Sequence, residues 1–209
     1  MRATLLVLVG GVLAAGLCLL VAVGYLKATG LSARSAAGPM EARAARAVRR
    51  FALPASARVA QNPIPSSTAA VADGMAHFAD HCALCHGNDG AGRTEMGRGL
   101  YPPAPDMRLT RTQGLSDGEL FYVIENGIRF TGMPAFGTGT AAGAESTWRL
   151  VHFVRHLPDL TAGEIHAMDA MNPRTLEEIR QEIEEQQFLQ GGGDSSPTPS
   201  PRQQQGGHR

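Results

Sequence analysis

Cys82-Ala83-Leu84-Cys85-His86 places two thiols three residues apart and an imidazole directly after the second. That is the spacing of covalent haem attachment: each sulfur takes one porphyrin vinyl group, and the histidine, carried round by the same helical turn, is offered to the iron. The iron's other face then needs a second ligand. A neutral thioether is the usual choice in an electron carrier because it favours the ferrous state. Met133, in Thr131-Gly132-Met133-Pro134-Ala135-Phe136-Gly137, is the candidate. Three plainer readings compete. A four-cysteine zinc site fails for want of ligands, since the one other cysteine, Cys18, sits in a distant apolar run. A thioredoxin-like pair would stand near a β-α-β pattern, whereas the flanks here show helical spacing and Gly- and Pro-rich loops. Cys82 and Cys85 as simple core residues would leave the abutting histidine and the downstream Gly-Met-Pro unexplained.

Outward from the motif, residues 71–81 read as a helix, with Gly74, Met75, Phe78 and Cys82 on one face and Asp73 and Asp80 turned away. Residues 87–112 hold five glycines and three prolines, too many for a helix and too broken for a strand, so an irregular loop is expected. Ser116-Asp117-Gly118-Glu119 is a capping box, with Leu115 and Leu120 as its staple, opening a helix that Gly127 should stop after Asn126. Among rival sulfurs, Met96 and Met107 lie in the loop, Met75 on the preceding helix, and Met168 and Met171 beyond the expected end of the domain.

With Gly74 and Phe78 four apart, Cys82 to His86, Gly87, Leu100-Tyr101-Pro102-Pro103-Ala104-Pro105-Asp106-Met107, Thr131 to Phe136, and a terminal helix beginning near Trp148, residues of about 70–160 resemble a single-haem class I cytochrome c domain. The resemblance implies an all-α class I cytochrome c fold around one covalently attached haem c. Cys82 and Cys85 would be its attachment points, and His86 and Met133 its iron ligands. It also implies that Gly74 lets its helix cross closely over the last one, where Trp148, Val151, Phe153, Val154 and Leu157 form the apolar face. A proline carbonyl within 102–105, with Pro105 the candidate, would accept the His86 Nδ1 proton and orient the ring.

The 209 residues carry no net charge, but three regions differ: eight Arg/Lys against one Glu in 1–70, seven against ten in 71–160, and four against eight in 161–209. Residues 3–26 contain no charge over 24 positions, enough to cross a bilayer as a helix and longer than the apolar core of a signal peptide. A cleavable signal ending near Ser35-Ala36-Ala37 is the alternative to an anchor. Arg2 stands alone before this run, while Lys27, Arg34, Arg43, Arg46, Arg49 and Arg50 follow it. The positive-inside rule would therefore keep the bulk of the chain in the cytoplasm. Covalent haem attachment in cytochromes c implies the opposite, and the expectation follows the haem motif: a single-pass inner-membrane protein with its haem domain in the periplasm.

The expected organisation is an anchor (1–27), a basic juxtamembrane segment and linker (28–70), the cytochrome domain (71–160), an acidic helical extension (161–190) and a disordered tail (191–209). Within 41–50 the arginines recur at three- and four-residue steps, so a helix there carries a cationic stripe, suited to anionic headgroups or to a solvated spacer. Residues 51–70, with three prolines and no apolar period, read as a linker; if flexible, they would span roughly 25 Å and reach about 70 Å. Two more capping boxes, at Thr161 and Thr175, are separated by Asn172-Pro173. The functional expectation is an electron carrier, not an enzyme, tethered by its N-terminal helix and serving redox-partner proteins of an electron-transport chain, with no nucleic-acid partner. A subunit of a larger membrane oxidoreductase, and a gas-binding haem sensor or peroxidase-like enzyme, are the alternatives.

Overall fold

Residues 2–30, 32–33, 37–174 and 176–189 are described by a computed structural model, and every regular element among them is helical. Thr175 with its capping box, Arg34 of the basic residues after the apolar run, Ser35 and Ala36 of the cleavage-site reading, and the 191–209 tail lie outside the described residues. The chain falls into two units, 1–172 and 173–209.

In the first unit, α1 (Arg2–Thr29) is long and apolar enough to cross a membrane: Val7–Ala28 has a mean hydropathy of 2.6 over 22 residues, none of them buried. Helix α2 (Pro39–Ala52) opens on a proline, whose fixed φ suits a first helical position, and ends where Leu53 turns extended. The expected linker that follows is not a free tether. Leu53 and Ala57 are buried, and α3 (Ala55–Val59) lies against the N-terminus of α8 (Asp117–Asn126). A Cβ at Gly118 would stand 2.2 Å from the Ala57 carbonyl oxygen, so glycine is what admits the backbone of this stretch, a strap over residues 53–64. Farther along, Asn62 donates to the Trp148 carbonyl at 2.9 Å and His152 Nε2 donates to the Ile64 carbonyl at 2.8 Å.

Ser67 caps α4 (Thr68–His77), its hydroxyl accepting from Ala70 N–H. The helix runs on without a break through a π turn (Phe78–Cys82) into α5 (Ala83–His86). Two short helices, α6 (Glu95–Gly99) and α7 (Thr110–Gln113), interrupt the otherwise irregular 87–112 stretch. The Ser116 capping box opens α8, and Gly127 at φ 65° stops it. Helix α9 (Ala141–His156) begins seven residues before Trp148, because the Thr140 hydroxyl caps it at Gly143 N–H and the alanine-rich first turn needs no apolar face. Helices α4 and α9 cross where a Cβ on Gly74 would lie 2.3 Å from the Arg149 carbonyl oxygen, so this approach is open only to glycine.

Phe78, Leu120, Ile124, Leu150, Val151, Phe153, Val154 and Leu157 make the core. Met168 is also in it, fully buried on α10 (Ala162–Asp169), which Thr161 opens with the expected capping box. The domain therefore continues past residue 160, its expected end, and α10 belongs to it and not to the acidic extension. In the second unit, α11 (Leu176–Leu189) stands as the acidic helix, with Arg174 paired to Glu182.

Candidate functional site

The π turn ends at the motif. Ala83 N–H reaches back to the Phe78 carbonyl across one extra residue, a local widening that recurs at functional sites. Cys82, Cys85 and His86 then share a single turn, with His86 8% exposed and both cysteines half-buried. Burial pushes the Cys82 thiol up to about 12, helped by Cys85, and burial also raises Cys85. Neither sulfur is poised as the thiolate that a disulfide-exchange centre requires. Among the described residues no group of three or more His, Cys, Asp or Glu could hold a metal ion, so the zinc reading lacks its ligand set.

The His86 ring is fixed from several sides. Phe78 lies 6.4 Å from it, centroid to centroid, and itself packs 5.1 Å from Phe153. Burial lowers the imidazole pKa, and the Pro105 carbonyl, acting on the ring, opposes that shift. Nδ1 is buried and has no partner in hydrogen-bond geometry. The Pro105 oxygen thus polarises the ring without closing a bond, and Nε2 is the nitrogen left for a metal. A buried imidazole nitrogen left without a partner is costly; metal ligation at Nε2 would fix the ring's orientation but would not by itself supply that partner.

Two glycines bring the surrounding loop in. Gly92, at φ 70°, would place a Cβ 2.3 Å from the Ala104 carbonyl oxygen and 2.9 Å from that of Pro105, so its absence lets the proline segment close on the motif. A Cβ on Gly97 would meet the Cys85 carbonyl oxygen at 2.1 Å, and Thr94 Oγ1 donates to that same oxygen at 3.0 Å. Backbone bonds from Gly92 to the His86 carbonyl (2.7 Å) and from Met107 to the Gly90 carbonyl (2.8 Å) complete the wrap. Gln113 Nε2 braces it by donating to the carbonyls of Met107 and Val154, both at 2.8 Å.

Met133 is half-buried on the loop that follows α8. Ile128 N–H donates to its carbonyl at 3.1 Å, its own N–H donates to Thr131 Oγ1 at 3.1 Å, and Phe136 N–H donates to the Ile124 carbonyl at 3.0 Å. Gly132 touches the Leu100 side chain, and the Phe136 ring stands edge-on to His81, 6.4 Å away. The loop is therefore tied both to the proline segment and to the residue preceding Cys82. Of the rival sulfurs, Met168, Met75 and Met107 are taken up in packing, while Met96 is half exposed. Sequence reasoning missed the Leu100–Gly132 contact and the Gln113 brace, which rest on single residues with no periodic signal.

Residues 69–154 match the family model for cytochrome C oxidase, cbb3-type, subunit III. No curated protein matches the chain. The matched segment is a c-type cytochrome domain and runs from the start of α4 almost to the end of α9.

Proposed function

We propose that this c-type cytochrome domain holds one haem by thioether bonds from Cys82 and Cys85, with His86 and Met133 as iron ligands. It passes single electrons between redox-partner proteins of an electron-transport chain. The observation that carries the reading is the His86 turn: a buried imidazole, its Nδ1 turned to a polarising carbonyl, beside two half-buried cysteines on the same turn. When bound there, haem supplies a one-electron ferric–ferrous couple. The chain's part is to hold and exclude. Pro105 orients the imidazole, Phe78 and Phe153 keep water from one side of it, and the bonds around Ile128 and Thr131 hold the Met133 loop in one shape. The chain acts as a carrier and catalyses no bond chemistry of its own.

Helix α1 anchors the chain in the inner membrane, with the haem domain on the periplasmic side. Nine residues separate Thr29 from Pro39, so while the strap stays seated the tether reaches about 30 Å, not 70 Å. That short reach favours a second reading, a subunit fixed within an oxidase, which the matched family's description also suggests. Replacing Met133 by Ala tests the ligand set. The sulfur-to-iron charge-transfer band of the ferric protein should vanish, its reduction potential fall and carbon monoxide bind, while Met96→Ala leaves the band in place. A wild type that already binds carbon monoxide readily would move the reading to a gas sensor. Copurification from gently solubilised membranes separates carrier from subunit.

A further inference from the structure

Helix α2 is built in three rows. Met40, Ala44, Val48 and Phe51 recur at the three- and four-residue steps that share one face, and none is covered: Met40 is 74% exposed, Val48 66% and Phe51 90%. Arg43, Arg46 and Arg50 form a second row, and among the described residues none of the three is paired with a carboxylate. A third row meets the domain, through Glu41, which accepts from the Tyr101 hydroxyl, and through half-buried Arg49 near Arg111 and Glu119. One side of α2 is thus taken by the domain, and the other two are an apolar strip with a cationic flank. Nine residues separate the end of α1 from the start of α2, so α2 cannot be far from the surface that α1 leaves.

We infer that α2 lies in the plane of the membrane interface, its apolar row below the headgroups of an anionic leaflet and Arg43, Arg46 and Arg50 against their phosphates. Several observations select lipid as the occupant. The apolar strip is flanked by arginines and, Glu41 apart, has no acidic residue on the helix. It is continuous in sequence with a membrane-spanning segment, and an aromatic with long cationic side chains beside it suits the boundary between acyl chains and headgroups. A protein partner would have to compete with a surface that α1 already holds at hand. The arrangement also accounts for basic residues on the same side of α1 as the haem domain, where the positive-inside rule does not expect them. They bind that leaflet's lipid after translocation, and α2, seated between bilayer and domain, fixes which face of the cytochrome looks outward.

The inference rests on α1 as a membrane anchor, and the test separates the two. The haem-loaded full chain carries Cys18→Ala, with one nitroxide label introduced by Leu13→Cys, Ala44→Cys, Val48→Cys or Arg46→Cys, in nanodiscs of phosphatidylcholine with and without phosphatidylglycerol. An unchanged haem spectrum certifies each variant's fold. Labels at 44 and 48 should be oxygen-accessible, about 5–10 Å below the phosphates, and the label at 46 should face water. Phosphatidylglycerol should raise the embedded fraction severalfold, and Arg43→Gln/Arg46→Gln/Arg50→Gln should cancel that gain without altering the neutral-disc result. Aqueous labels at 44 and 48 beside a deep label at 13 would overturn the α2 assignment and leave the anchor standing. An aqueous label at 13 would remove the anchor itself. Embedding that is indifferent to phosphatidylglycerol and to the triple variant would overturn the headgroup contact.

Discussion

Gly74→Ala should unfold this domain more easily, although alanine is the better helix former. In the helix interior that exchange is worth about 1 kcal/mol in favour of alanine. Against it, the new methyl carbon would lie 2.3 Å from the Arg149 carbonyl oxygen and 2.9 Å from the Phe153 Cβ. Close carbon-to-oxygen contacts stop at about 3.3 Å, so α4 and α9 must part by roughly 1 Å at their crossing. The obstacle is backbone inside a helix and cannot swing aside, and the faces being parted carry fully buried Phe78 and Phe153. Overpacking costs about 1–3 kcal/mol, with the upper end appropriate here, which leaves a net loss of about 2 kcal/mol. For a domain of this size that lowers Tm by about 8 °C. Gly163→Ala is the matched control: in α10 the nearest atom to its Cβ is Thr161 Oγ1 at 4.0 Å, so the same exchange should be neutral or stabilising by up to about 1 kcal/mol. Denaturant unfolding of the haem-loaded chain in detergent, followed by circular dichroism, reads both. A Gly74→Ala protein as stable as the wild type would refute the close-crossing argument.

Met168→Ala should cost about 2–5 kcal/mol by the same unfolding assay, since it empties a fully buried position; a loss below 1 kcal/mol would return α10 to the status of an appendage. Glu164 is held at about 2, below its ordinary 4.5, chiefly by the Thr161 backbone N–H, then by the Thr161 hydroxyl and His156. Its contribution is therefore complete above about pH 4.5 and drains away as pH falls toward 2. Being about a third exposed, it is worth about 1 kcal/mol as a cap, so Glu164→Gln should be less stable by that amount at neutral pH and match the wild type near pH 2. A gap between the two that does not change with pH would contradict the assigned cause.

What could be read from the sequence was local. Ser116 and Thr161 announced their helices because a capping box is complete within four residues, while the crossing at Gly74 was implied only by the family resemblance that Gly74 and Phe78 help to carry. The cysteine and histidine turn was equally legible, its three side chains being adjacent in the chain. The strap was not. Its two buried residues, Leu53 and Ala57, flank a proline and make no period, and the bonds that seat it reach 59 to 88 residues away, from Ser116 to Ala57 and from His152 to Ile64. Met168 escapes the sequence for a similar reason, as the one buried side chain on a short helix whose other residues are exposed or half-buried. The first two turns of α9 carry no such signal, because an alanine-rich first turn has no apolar face to display. The π turn left no signal in the composition of Phe78–Cys82.

The covalent attachment of haem is the claim on which the functional account stands, and the mass of the denatured chain tests it. Expressed with the c-type maturation machinery, the full chain should stain for haem on a denaturing gel and carry the mass of one haem per polypeptide. The Cys82→Ala/Cys85→Ala chain should carry none. A wild-type band that is unstained, with the bare polypeptide mass, would contradict it.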